Sequence, residues 1–281
     1  MNSNIKNFVR KTGGSYFWGI RILPKAQREA LYTIYAFHHH IDDFAYNPNI
    51  SKEEKKELIG AWREEFNNIF DKKVPSTEIG RKIYKNCMRF KLPKSEFIRL
   101  LDSISLDVER PLKAPKLDIF NEYCRGVAGV LCNFSLRILG CNDEPLIEEL
   151  SNTISSSVMI TNILKDIKDA SKHDRLYIPQ EFLKKAGIFE TNPEKVIINK
   201  NLNIARQELA EIAEKNYRKT YNLIEKLDKC SAKTVRSMTN INKKYFEIMQ
   251  KRGWEVISPK PKISRIYMFS LAVKGLLGRT A

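Results

Sequence analysis

The 281-residue chain carries 49 Lys and Arg against 33 Asp and Glu, a formal charge of +16, and 42% of it is hydrophobic. That apolar share is enough for a sizeable core and excludes disorder for most of the length. The basic surplus suits an anionic membrane surface, an anionic substrate, nucleic acid, or simply a Lys-rich solvated exterior; Lys is spread along the chain and not gathered in one arm, so no nucleic-acid partner is expected.

Gly and Pro are scarce, 12 and 11, and helical periodicity runs nearly throughout with no good alternating strand. The polar start MNSNIKNFVRKTGG is too short in apolar run for a signal peptide, and residues 1–14 are expected to be flexible. Pro24 opens a helix over 25–45 that stops before Asn47-Pro48. Residues 51–70 form an amphipathic helix with Ser51 as cap and Glu54 three residues on. Further helices follow Pro75 and Pro93, the second running to about 107, and Pro111 and Pro115 mark a loop. An apolar helix over 117–139 ends at Gly140 and another covers 144–170. Residues 171–195 are a basic, partly irregular connection to helices over 200–228, 231–251 and 263–277. Nothing divides the chain, so one all-α domain over 1–281 is expected.

The five cysteines, 87, 124, 132, 141 and 230, form no CxxC pair, which points to reduced thiols and a cytoplasmic setting; Cys124 and Cys132 read as packing residues. No window reaches the roughly 18 apolar residues of a spanning helix. The stretch IYMFSLAVKGLLG, 266–278, follows the basic KPKISR. Such a helix either lies on an anionic membrane surface as a peripheral contact or closes the core.

Two strips of polar residues stand out inside core-like sequence. At about 100° per residue, Asn162, Asp166 and Asp169 fall within roughly 60° of arc, and Tyr35, His39, Asp42 and Tyr46 share one face of the earlier helix, with Asp43 beside Asp42. Carboxylates in apolar helices are costly unless they are paired or bind metal. Two such clusters suit Mg²⁺, a hard ion that takes oxygen ligands and bridges to phosphates; salt bridges to Lys and Arg are the plainer alternative. His38, His39 and His40 point about 100° apart and cannot converge on one ion. Of the three, His39 is placed on the acidic face, where it suits a carboxylate or phosphate partner.

Three ordered segments resemble the squalene and phytoene synthases, which are head-to-head prenyltransferases. SYFWGIRILPKAQREALYTIYAFHHHIDD resembles the family's flap, first helix and first acidic motif. EYCRGVAGVLCNFSLRILG resembles its Tyr-Cys-x-x-Val-Ala-Gly helix, and TNILKDIKDASKHDRLYIPQEFL its second acidic motif with the Arg-x-Tyr-x-Pro exit. SYFWGIRILPK and LDVERPLKAPKLD bring the bacterial presqualene diphosphate synthases nearest. The resemblance implies an isoprenoid synthase fold, a single large helical bundle around a central apolar cavity. It implies two or three Mg²⁺ ions at Asp42, Asp43, Asp166 and Asp169, with Asp42 and Asp166 also catalytic. Diphosphate contacts would come from Ser15, His39, Asn162, Lys165, Arg175 and Tyr177, and the Tyr35 and Tyr123 rings would face the allylic cation. The substrates would be two prenyl diphosphates, expected to be farnesyl. The product would be presqualene diphosphate or a squalene- or phytoene-type hydrocarbon, a hopanoid or carotenoid precursor. NADPH is needed only if the product is squalene, and downstream pathway enzymes are candidate partners.

The motifs depart from the family pattern. Tyr46 stands where the first motif has its third acid, and Ala170 where the second has its last. His39 replaces an Arg, Met159 a Gln and Lys165 an Arg, and Gly13-Gly14-Ser15 keeps part of a serine-bearing flap. With both outer acids gone, two readings stand: an active prenyltransferase with altered metal demand, or a weak or inactive relative that binds prenyl diphosphates or a protein partner.

Overall fold

The computed structural model describes residues 7–10, 14–21 and 23–280, without the side chains of 14–16. Within 1–14, residues 7–10 are helical and Val9 is fully buried; residues 1–6 and 11–13 lie outside the described ones. The described chain is helical, with a single isolated parallel bridge between Lys113 and Leu176 as its only extended pairing.

The helices are α1 (Gly14–Ile20), α2 (Lys25–Ala45), α3 (Lys52–Asn67), α4 (Glu78–Phe90), α5 (Lys94–Glu109), α6 (Leu117–Cys124), α7 (Val130–Leu139), α8 (Glu144–Lys172), α9 (Gln180–Lys185), α10 (Pro193–Val196), α11 (Leu202–Ile224), α12 (Lys229–Arg252) and α13 (Arg265–Leu276). Local chemistry sets many of their ends. Ser51 Oγ accepts from Glu54 N while Glu54 Oε2 accepts from Ser51 N, the reciprocal cap expected from the sequence. Asp143 caps α8 through Leu146 N at 3.0 Å, with Pro145 in the first turn. Gly140 ends α7 at φ 106°, a conformation open to glycine at little cost.

The helix expected over 117–139 is interrupted. Residues Arg125–Gly129 form a π turn between α6 and α7, and Asn68–Lys72 form another after α3. The turn at Asn68–Lys72 holds no Gly or Pro, and the one at Arg125–Gly129 holds Gly126 and Gly129 inside an otherwise apolar helical run; periodicity alone announces neither break.

Two apolar cores share α8. One gathers α2 to α7 with the start of α8; the other packs the rest of α8 against α9 to α12. In the first, Phe97 lies 4.3 Å from Phe134 and 4.6 Å from Phe66, and Phe37 of α2 lies 4.8 Å from Trp62, measured between ring centroids. Each such ring contributes roughly 1.5–3 kcal/mol on burial. This packing fixes the back of α2 and so turns its opposite face, Tyr35 to Asp42, inward. In α8, Ser155, Ser157 and Thr161 donate to carbonyls three or four residues upstream, which lets a polar helix be buried. No helix among the described residues is long and apolar enough to cross a membrane. All five cysteines are free thiols, with Cys87, Cys124 and Cys132 buried.

Candidate active site

A cavity of about 440 Å³ lies between α2, the π turn with α7, α8 and α12, with Met268 of α13 adding to its wall. Val127, Leu131 and Ile154 give it an apolar lining, and Tyr35, His39 and Asp42 from α2 meet Asn162 and Lys165 from α8 on it. Of the two strips singled out in the sequence, Tyr35, His39 and Asp42 of one and Asn162 of the other line this cavity, while Asp43, Tyr46, Asp166 and Asp169 do not.

On the α2 side, the three histidines part company as helix geometry requires. His39 Nδ1 lies 2.9 Å from Asp43 Oδ2, and His40 packs edge-on against Phe44 and Trp62. His38, which the sequence reading left off the acidic face, is the residue that meets Asp42, with Nδ1 3.1 Å from Oδ2. Its Nε2 donates to the Val127 carbonyl at 3.0 Å, a group presented by the π turn. Burial pushes the His38 pKa down, but the Asp42 charge, its hydrogen bond and the Val127 carbonyl outweigh that and leave it raised. With an acceptor facing each ring nitrogen, the imidazolium is the favoured form. The other Asp42 oxygen, Oδ1, is buried and has no partner. Asp43 is turned outward, its side chain 61% exposed.

On the α8 side, Lys165 Nζ donates to Asn162 Oδ1 at 2.9 Å and stands 5.1 Å from the Tyr245 ring centroid. One turn on, Asp166 Oδ1 and Asp169 Oδ2 each lie 2.5 Å from Lys260 Nζ, which arrives from the segment between α12 and α13. Hydrogen bonding to Lys260 depresses the Asp169 pKa; burial lowers that of Lys260, yet the two carboxylates more than offset it and leave it raised. Lys260 is 94 residues from Asp166, and no local pattern in the sequence signals the contact.

Arg175, Tyr177 and Tyr123, expected beside the ligand, form a second polar cluster and are not among the residues lining the cavity. The Lys113–Leu176 bridge brings 175–177 against α5, where Asp107 is fully buried. Asp107 Oδ2 accepts from Arg175 Nε at 2.9 Å and Tyr177 Oη at 3.0 Å, and Oδ1 from Leu112 N at 2.9 Å. Tyr177 stacks on Tyr123, whose hydroxyl is 2.7 Å from that of Tyr46, and the Arg175 guanidinium lies 5.0 Å from the Tyr46 ring centroid. Burial, then the nearby Tyr177, Asp107 and Asp42, hold the Tyr46 pKa far above its ordinary value. Tyr46 is thus a neutral hydroxyl and no substitute for a carboxylate. Asp107 was missed; an acid inside the apolar run ISLDVE, with an unmatched Arg downstream, was the available signal. The side chain of Ser15 lies outside what the structure describes.

These donors fit a divalent ion on one side only. Asp42 offers a hard, buried, unpartnered oxygen. Asp166 and Asp169 are already matched by an ammonium, Asp43 is paired with His39, and no group of three or more His, Cys, Asp or Glu among the described residues is placed to hold a metal. The four-carboxylate metal set expected from the sequence is not assembled in this arrangement.

The model of the squalene/phytoene synthase family matches residues 9–267. A presqualene diphosphate synthase of Zymomonas mobilis is 30% identical over 89% of this chain and 84% of its own length. One from Sinorhizobium fredii is 33% identical over 72% and 71%. The crystal structure of a dehydrosqualene synthase in complex with ligand superposes with a TM-score of 0.84 at 20% identity, covering 97% of this chain and 94% of that one. The all-α bundle is the isoprenoid synthase fold, and the chain belongs to the squalene/phytoene synthase family of prenyl-transferring enzymes.

Proposed function

We propose that this chain condenses two molecules of farnesyl diphosphate head to head into presqualene diphosphate, with Mg²⁺ as cofactor. The observation that carries the reading is Asp42, one of whose oxygens has no partner, on the wall of a cavity whose other lining is largely apolar. A diphosphate bearing a long hydrocarbon tail needs that pairing of cation site and apolar chamber. Asp42 and phosphate oxygens would hold the ion. The chemistry it supplies when bound is neutralisation of charge on the departing diphosphate. Lys165 donates to phosphate oxygens, and Lys260 does so once released from Asp166 and Asp169. His38 holds Asp42 in its rotamer through one oxygen and leaves the other to the ligand. The Tyr35 ring, one wall of the cavity, shelters positive charge on the allylic carbon. Attack by the second donor's double bond and loss of a proton then close the cyclopropane. The relatives named for presqualene diphosphate support that product.

A second reading, a family member that binds prenyl diphosphates with little turnover, draws on Lys260 occupying the Asp166–Asp169 pair. Incubation with labelled farnesyl or geranylgeranyl diphosphate and Mg²⁺, with mass identification of products, separates the two. The condensation reading expects diphosphate release and a product joining two farnesyl groups that keeps one diphosphate. Binding of either substrate with no diphosphate released favours the second reading and overturns the first.

A further inference from the structure

The outer face of α13 is largely exposed, with Phe269 edge-on to Trp18 of α1. Its inner side is seated on α12: Leu271 and Ala272 are buried, and a Cβ on Gly275 would come within 2.5 Å of the Ser237 backbone, so the two helices touch closely there. The opposite side carries Ile266, 84% exposed, Phe269, 51%, and Leu277, 67%. At about 100° per residue, Ile266, Phe269, Val273 and Leu277 fall within roughly 80° of arc, with Arg265 at one edge of that stripe and Lys274 at the other. Trp18 of α1 extends the patch against Phe269, and the Arg21 guanidinium lies beside the Trp18 ring. From Val256 to Ala281 the sequence holds no Asp or Glu, while Lys260, Lys262, Arg265, Lys274 and Arg279 are all cationic.

We propose that this face of α13 docks on an anionic lipid bilayer, with the Ile266–Phe269–Val273–Leu277 stripe entering the headgroup boundary and Arg265, Lys274, Lys262 and Arg279 meeting acidic headgroups. An apolar stripe edged on both sides by cations, on a helix too short to span, is the geometry of an interfacial helix. A second copy of the same face is a poor occupant, since a two-fold contact would bring like charges together with no acid from this segment to match them. Met268, on the same helix, lines the cavity. Met268 is about 200° round the helix from Ile266, on the inner side, so α13 stands between the docked face and the chamber. The docking does not rest on the function proposed above, because it is read without substrate.

The test is co-sedimentation of the full chain with vesicles of phosphatidylcholine alone or mixed with phosphatidylglycerol, at low and high salt, with no prenyl diphosphate present. Binding is expected to the mixed vesicles only, to weaken with salt, and to fall about fivefold for each of Arg265→Ser and Lys274→Ser. Ile266→Glu with Leu277→Glu is expected to abolish it while the thermal melt stays at the wild-type midpoint, these being the two most exposed side chains of the stripe. Binding of that double variant at wild-type strength overturns the proposal. So does wild-type chain that stays in solution with the mixed vesicles, including the case where sedimentation velocity shows it self-associating through this face. A chain that binds vesicles but transfers no prenyl group overturns the reaction and leaves the surface intact.

Discussion

Two charged groups sit within this bundle, Arg125 buried and Asp42 with a side chain 33% exposed, and they are satisfied to different degrees. Arg125, in the π turn, has a side chain 7% exposed. Its two terminal nitrogens reach Glu96 at 2.9 Å each, and Nε and Nη2 reach Glu148 at 3.1 and 2.7 Å. Nearly every donor of the guanidinium is used. Asp42, on the facing helix, has one oxygen bound to His38 and the other bare. The first group is closed and its job is to join α5, the π turn and α8. The second is left incomplete on the wall of a cavity, which is the condition for taking a ligand. Two charges in one protein thus serve packing and binding, and burial together with the count of filled hydrogen-bond positions tells them apart.

The largest effect that sharpens this contrast is expected at the closed cluster. Arg125→Met leaves Glu96 buried without its partner and should destabilise the fold by about 3–5 kcal/mol, read by chemical denaturation; a loss below about 1 kcal/mol would mean the cluster is wetter than its geometry implies. Asp42→Asn is the converse. Stability should fall less than at the closed cluster, by about 1–2 kcal/mol from the weakened pairing with His38, while the rate of diphosphate release falls about 10²-fold or more. An Asp42→Asn variant that keeps the wild-type rate, with a stability loss as large as that of Arg125→Met, would reverse the two roles.

Smaller effects bear on the α8 strip. Lys260→Met removes the ammonium from Asp166 and Asp169. Those carboxylates are part-exposed, so the pairing is worth about 1 kcal/mol at most, and Mn²⁺ binding followed by electron paramagnetic resonance should tighten about fivefold. Unchanged affinity would show that the strip does not take a divalent ion. The smallest expected effect is on acid stability. Hydrogen bonding to Arg125 sets the Glu148 pKa below its ordinary value near 4.5. Its contribution is therefore present above that value and is lost as pH falls through the depressed one. Glu148→Gln should flatten the acid limb of the stability curve by under about 1 kcal/mol, given the exposure of this carboxylate.

The helix spans were legible because periodicity, prolines and caps are local. The Ser51–Glu54 cap and the stop at Gly140 fell where their chemistry put them. The π turn at 125–129 was not, since it depends on Arg125 reaching α5 and α8 and on Val127 meeting His38. Within the site, the strips on α2 and α8 were readable as helix faces, and Tyr35, His39, Asp42, Asn162 and Lys165 do share one cavity. His38 could have been found from its i, i+4 spacing to Asp42. Lys260 could not, because only the fold brings it across 94 residues to Asp166. Arg175 and Tyr177 were read as ligand contacts from the motif they resemble; their bonds to Asp107 come from the pairing of Lys113 with Leu176, which is also tertiary.

The central claim is that a prenyl diphosphate sits with its charged end between Asp42 and the Asn162–Lys165 turn. A crystal grown with Mg²⁺ and a non-hydrolysable farnesyl diphosphate analogue tests it most directly. The expected density has the diphosphate and an ion against Asp42 Oδ1, Lys260 drawn off Asp166 and Asp169, and the tail along Val127, Leu131 and Ile154. Density for the analogue elsewhere, with Asp42 Oδ1 still bare and Lys260 still bonded to both aspartates, would contradict it.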